Sequence, residues 1–316
     1  MEKSKKLIIQ RISKVICFLL IFTAFLGIGS KIFIPKKNSA EYGNKNYYGN
    51  SYHGERANSI DIVVVGNSSA YKSFSPLELW NKYGYTSFVC GAPAQKIQEG
   101  YYMLENFLKE QKPKVVIYET EGIFNSYGKK IKSSYNQAKR DLIFLSNEID
   151  GINATLDVVT ANICPLLKYH NRWSSLKPED FTLEPDYSKH YVSKGYVLTN
   201  KVKPYRGNKN YMKPSDYTTP IQYTNLYYLN KMKELCDKNG AEFVLMSSPL
   251  PRAWNDERHK AVKAYAEKNN IKYLDTNLSI DEMKIDWSKD SSDKGYHLNV
   301  YLSLIHISEP TRLDVI

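Results

Sequence analysis

Apolar residues are arranged along this chain in three different ways. Residues 15–29 form an almost unbroken run, Val15-Ile-Cys-Phe-Leu-Leu-Ile-Phe-Thr-Ala-Phe-Leu-Gly-Ile-Gly29. Between about 60 and 275, short apolar runs alternate with stretches of helical spacing. Between about 125 and 220 that alternation is lost. The short runs predict strands at 60–65, 86–90, 115–119, 243–246 and 272–274. Helical spacing predicts helices at 96–109, 224–239 and 257–269, the second stopped by Asn239-Gly240. Strands alternating with helices specify a parallel sheet covered on both faces, here a five-stranded doubly wound α/β core. The stretch 125–220 is too long for an ordinary crossover and reads as an insertion, mostly helical at 138–161 and irregular beyond, of the kind that shapes a cleft at a sheet's carboxyl edge. Within it, His170, Arg172 and Trp173 are candidates for substrate contact or for pinning the insertion in place.

Charge changes the reading of the first run. The chain carries a net +11, but Lys3, Lys5, Lys6, Arg11, Lys14, Lys31, Lys36 and Lys37 face only Glu2 within the first 37 residues. Basic residues flanking an apolar run mark a membrane-targeting segment that exports the chain downstream of it, so residues 1–37 read as an N-terminal signal-anchor. The run is shorter than the roughly 20 residues of a spanning helix, which fits a cleaved signal with Gly27 and Gly29 before the cut. Ile32 to Ile34 extend it past Lys31, whose stem can snorkel, which fits a retained anchor. The remainder is only mildly basic, so nucleic acid is not an expected partner. Residues 38–58, rich in Asn, Tyr, Gly, Ser and Lys, read as a linker. Cys90, Cys164 and Cys236 make an odd number without metal-ligand spacing, and no Gly-rich phosphate loop is present, so neither disulfides, a metal nor a cofactor is expected.

The chemistry gathers at two places. The strand pattern Asp61-Ile-Val-Val-Val-Gly66-Asn67-Ser68 delivers a serine to the carboxyl edge of the sheet, where open α/β folds keep their sites. A serine hydroxyl is a weak nucleophile until a base takes its proton. Near the other end, Asp293-Lys-Gly-Tyr-His297-Leu-Asn299 offers that base and a carboxylate to orient it.

Gly66-Asn67-Ser68, the loop Cys90-Gly91-Ala92-Pro93-Ala94-Gln95 and Asp293 to Asn299 together resemble the spaced blocks of the SGNH (GDSL-like) hydrolase superfamily. The resemblance spans nearly all of 59–301, the expected hydrolase domain. Gln111-Lys-Pro-Lys-Val-Val-Ile117 and Tyr169 to Leu176 resemble an exported subgroup from low-GC Gram-positive bacteria. It implies a three-layer, flavodoxin-like α/β/α fold, with Ser68 as nucleophile, His297 as base and Asp293 as its orienter. It further implies an oxyanion hole from the Ser68 and Gly91 N–H groups, with Asn125 the nearest candidate for a third donor. The sequence departs from the family at Asn67, where many members have Asp, in lacking a clean Asn block after the third strand, and in an Asp-to-His spacing one residue longer than usual. From 302 to 316 the chain reads as foreign read-through. An exported SGNH domain facing the cell wall is expected to remove O-acyl groups, such as acetyl esters, from an envelope polysaccharide. Two alternatives stay open: an O-acyltransferase, as in the similar D-alanine-transfer and alginate-acetylation proteins and served by a membrane-bound acyltransferase partner, and an inactive glycan-binding module.

Overall fold

A computed structural model describes residues 2–33, 48–125, 164–181 and 193–299. The helix expected at 138–161 and the tail 302–316 lie outside the described residues. The chain divides into two compact units, one of residues 38–155 and 187–316, the other of 1–37 and 156–186.

In the first unit, β1 (Ile62–Gly66), β2 (Ser87–Gly91), β3 (Val115–Glu119), β4 (Glu242–Ser247) and β5 (Lys272–Asp275) form one parallel sheet in the order β2-β1-β3-β4-β5. All five expected strands are present, displaced by at most two residues at their ends. Because successive strand residues point to opposite faces, the apolar runs fill two cores at once. Val63, Val65, Phe88, Val116 and Leu245 pack beneath α4 (Ile97–Glu110), α6 (Tyr223–Asn239) and α7 (Asp256–Lys268). Ile62, Val64, Val89, Ile117 and Val244 pack on the opposite face with α2 (Ser68–Ser73) and α3 (Pro76–Tyr83). The strand order reverses between β1 and β3, so their carboxyl ends flank the crevice where doubly wound folds bind ligands.

Helices α2 and α3 went unforeseen because one or two turns show too little periodicity. The end signals of α3 are nonetheless in the sequence: Ser75-Pro76 starts it, and Gly84 ends it in the left-handed conformation at φ +74°. The expected linker 38–58 needs correction at its end. Residues Tyr48–Gly54 form a 3-10 turn, and Tyr52, 1% exposed, packs its ring 4.9 Å from that of Phe107. The buried Tyr52 ring and the His53–Glu110 hydrogen bond at 2.7 Å tie this segment to the core, and isolated anchors leave no periodic trace in sequence.

The second unit contains α1 (Glu2–Phe33), long and apolar enough to cross a membrane. At about 1.5 Å per residue it exceeds the roughly 30 Å of a hydrocarbon core. Its apolar side chains from Leu7 to Ile28 are largely exposed. Its last turn is covered by the segment around the short α5 (Pro165–Tyr169): the Leu166 N–H donates to Ser30 Oγ at 3.2 Å, and Arg172 donates to the Phe33 carbonyl.

Candidate active site

β1 ends at Gly66, and α2 begins two residues later. That sharp exit needs a glycine, because a Cβ there would stand 2.9 Å from the Cβ atoms of both Ala70 and Glu119. Asn67 caps α2, its Oδ1 accepting the Ser69 N–H at 2.8 Å. Ser68 is thereby the first residue of the helix. Its own N–H has no carbonyl four residues back within the helix to donate to.

The loop 286–299 brings His297 to it. His297 Nε2 lies 2.7 Å from Ser68 Oγ, while its Nδ1 is hydrogen-bonded to Asp293 Oδ2. The other Asp293 oxygen accepts the His297 N–H at 2.7 Å and the Tyr296 N–H at 3.1 Å. The longer Asp-to-His spacing is absorbed by two consecutive left-handed residues, Lys294 at φ 69° and Gly295 at φ 97°. Gly295 is also pressed against Tyr205, where a Cβ would lie 2.6 Å from the ring. Its N–H donates to Ser291 Oγ at 2.6 Å, and Asn299 Nδ2 donates to the Lys289 carbonyl at 2.6 Å, closing the loop. Burial disfavours charge on Asp293, but the His297 hydrogen bond and the nearby charges of His297 and Lys72 outweigh it and hold the carboxyl below its ordinary value.

Gly91 ends β2 in register with Gly66, and a Cβ on it would meet the Tyr71 ring at 3.0 Å and the Gly66 carbonyl at 3.1 Å. The two glycines let these backbones crowd beside Ser68. Asn125 is placed differently from the expectation of a free donor. Its Nδ2 donates to Glu121 Oε2 at 2.7 Å, the same oxygen that accepts from Asn67 Nδ2. Glu121 therefore links the third-strand block to the serine turn, a role that sequence reasoning missed. The available signal was its position two residues past the buried end of β3.

Behind it, Glu119 is fully buried and accepts N–H bonds from Ser248 and Glu121, both at 3.2 Å. Burial first, then the Glu121 charge, push its carboxyl up to about 8, so it carries a proton at neutral pH. Cys90 is buried, and burial pushes its thiol well up, which removes it as a thiolate nucleophile. Arg172 and Trp173 belong to the second unit. The Arg172 guanidinium is taken by the Phe33 carbonyl and by Asp180 at 2.9 Å, so it pins the end of α1. Trp173 is 74% exposed. Among the described residues, no group of three or more His, Cys, Asp or Glu side chains is placed to hold a metal.

No family model matches this chain, and no curated protein matches it. Among solved structures, the crystal structure of a candidate acylhydrolase from Bacteroides fragilis is similar over 89% of this chain and 100% of its own, at 12% identity and a TM-score of 0.39. A likeness that loose says nothing about chemistry.

Proposed function

We propose that this chain is an extracytoplasmic serine hydrolase of the SGNH type that removes O-acyl groups from an envelope polysaccharide through an acyl-enzyme. The observation that carries this reading is the unbroken hydrogen-bonded line from Asp293 through both nitrogens of His297 to Ser68 Oγ. Ser68 Oγ attacks the ester carbonyl as His297 Nε2 takes its proton. The resulting imidazolium is stabilised by Asp293, whose depressed pKa keeps it charged. Collapse of the tetrahedral intermediate breaks the bond to the sugar oxygen, which leaves with the proton from His297. Water, deprotonated by the same base, then releases the acid. The Ser68 and Gly91 N–H groups are the proposed oxyanion donors, each lowering the barrier by about 3 kcal/mol. A sugar hydroxyl in place of water would complete a transfer, and free acid formed without added glycan separates the two outcomes.

The location rests on the basic flank of α1 and its spanning length. Retention of the anchor is supported by the bonds from Leu166 and Arg172 to Ser30 and Phe33, which a cut after Gly27 or Gly29 would detach from the apolar segment.

The test is fluorophosphonate labelling of the full chain in detergent, with Ser68→Ala and His297→Ala beside wild type. Labelling of wild type that is lost in both variants is the expected result. A folded wild type that does not label would sink the hydrolase and leave a glycan-binding module as the better account.

A further inference from the structure

Residues 197–213 cross the base-bearing loop as a strap. The Lys203 N–H donates to the Ser291 carbonyl at 2.8 Å, the Lys294 N–H to the Lys203 carbonyl at 3.0 Å, and the Tyr205 N–H to the Trp287 carbonyl at 2.9 Å. Asn299 Nδ2 adds a bond to the Lys201 carbonyl at 3.3 Å. The strap is thus fastened through its backbone on both sides of the turn that carries Asp293 and His297, leaving its charged side chains to the solvent.

Those side chains are of one sign. Lys201, Lys203, Arg206, Lys209 and Lys213 are all exposed, and no acid occurs between Val197 and Lys213. Among the described residues none of the five is in an ion pair. Several lysines elsewhere on this unit have carboxylates in reach, Lys114 with Asp61 at 3.1 Å, Lys233 with Asp237 at 2.7 Å, Lys260 with Asp256 at 2.8 Å and Lys272 with Glu242 at 3.0 Å, and those without one among the described residues, such as Lys109, Lys238 and Lys268, are scattered rather than gathered on one segment. The acids of the underlying loop are engaged locally, Asp286 with Ser288 and Lys289, Asp290 with the Asp286 N–H, and Asp293 with His297. At the turn itself, the exposed Arg252 lies over the ring of the half-exposed Tyr296, 5.1 Å from its centroid, and it too is in no ion pair among the described residues.

Like charges gathered without counter-charges repel one another, and an anionic ligand relieves that repulsion while being drawn in by the summed field. An aromatic ring with a guanidinium on it, beside the base, suits a charged sugar. We propose that the strap, together with Arg252 and Tyr296, is the binding track for a polyanionic glycan bearing carboxylate or phosphate groups, which it lays across the mouth of the Ser68 site. This names the substrate class of the hydrolase and rests on that reading.

The experiment is fluorescence anisotropy of the full chain in non-ionic detergent with four labelled probes: polygalacturonate, poly(glycerol phosphate), neutral dextran and oligo-dT. Wild type is expected to bind one or both anionic glycans at least about tenfold more tightly than dextran, with affinity falling as salt rises from about 50 to about 300 mM. The preferred probe separates carboxylate from phosphate. Lys201→Gln/Lys203→Gln/Lys209→Gln is expected to lose about tenfold. The charge-matched Lys109→Gln/Lys238→Gln/Lys268→Gln, in the last turns of α4, α6 and α7 at the opposite edge of the sheet, is expected to bind as wild type. Equal affinity for dextran, equal losses in the two triple variants, or tighter binding of oligo-dT than of either glycan would each overturn the proposal. Fluorophosphonate labelling of the same samples keeps the two readings apart. Glycan binding without labelling sinks the hydrolase alone, and labelling without glycan binding sinks the track alone.

Discussion

Among the described residues, two histidine–aspartate pairs stand at the carboxyl edge of this sheet, and only one of them faces a serine hydroxyl. His259 Nδ1 meets Asp275 Oδ2 at 2.7 Å, a contact that in isolation looks as good a base-orienter pair as His297 with Asp293. Their surroundings differ. The Asp275 side chain is 1% exposed and also accepts from Trp254 Nε1 at 3.0 Å, Tyr273 OH at 3.1 Å, and the N–H and Nδ2 of Asn277 at 2.9 and 2.7 Å. It is a saturated knot that ties β5 to α7 and to the loop before it. Asp293 is 32% exposed and, among the described residues, accepts only from its own turn, with the imidazole as its one side-chain hydrogen-bond partner. The far nitrogen of His297 reaches Ser68 on another strand, whereas among the described residues the far nitrogen of His259 has no hydrogen-bond partner. A carboxylate-oriented imidazole becomes a base through what its second nitrogen meets.

The two regions are also joined. Asn277 Nδ2 donates to the Ser248 carbonyl at 2.8 Å, the Ser248 N–H to Glu119, and the Glu121 N–H to Glu119. Glu121 then holds Asn67 beside Ser68. The structural knot therefore extends to the underside of the serine turn.

The most direct way to break the contrast is to remove one partner of the proposed triad. Ser68→Ala and His297→Ala are expected to lower ester turnover by about 10⁴-fold or more, since members of such a unit act together. His259→Gln should stay within about threefold of wild type in kcat/KM. Asp293→Asn comes next, with a loss of about 10³-fold and little change in the urea midpoint, because it disturbs the tautomer more than the fold.

Asp275→Ala should do the reverse. Stranding the buried donors of Trp254, His259 and Asn277 is expected to cost about 3 kcal/mol in urea unfolding, with fluorophosphonate labelling retained by the folded fraction. An Asp275 variant that folds well but no longer labels would erase the distinction between the two pairs.

Glu119 tests the link between them. Its folded-state pKa is raised from 4.5 to about 8, so within that window the folded chain holds a proton that the unfolded chain has released, and stability falls as pH rises. Asp293 acts oppositely: its depressed pKa contributes stability above its ordinary 3.8 that is lost as pH falls below it. Glu119→Gln keeps an acceptor for one of the Ser248 and Glu121 N–H groups, which donate to different oxygens, and should flatten the decline between about pH 5 and 8 in urea titrations. An unchanged slope would refute the buried acid. The smallest effect is expected of Glu121→Ala, about a tenfold loss in kcat with KM little moved, recovered in part by Glu121→Gln, which can still accept from Asn67 or Asn125. Failure of Gln to recover activity would mean that the charge, not the clamp, matters.

Much of this was legible in the chain because it is local. Each strand announces itself by a short apolar run, β-branched in β1 and β3, and Gly66-Asn67-Ser68 announces a turn by side-chain size alone. Asp293 and His297 could be paired because four residues of chain keep them close. What stayed hidden depends on partners far away in sequence: Tyr52 against Phe107, Glu121 between Asn67 and Asn125, and the strap at 197–213 on the loop at 286–299. Arg172 was open to either substrate contact or pinning the insertion, and it holds the end of α1, because a guanidinium's chemistry does not say which carbonyl it will find.

By itself, then, the sequence determined the parallel α/β layering, the basic-flanked apolar run within α1 and the residue types available at the sheet's carboxyl edge, all read from local composition and from burial patterns that repeat every two to four residues. Only the tertiary structure decided which of two histidines meets a serine, which carboxylates are tied into the core and which basic segment borders the site. Those outcomes are set by contacts between residues as much as 229 positions apart, whose distances no local periodicity constrains.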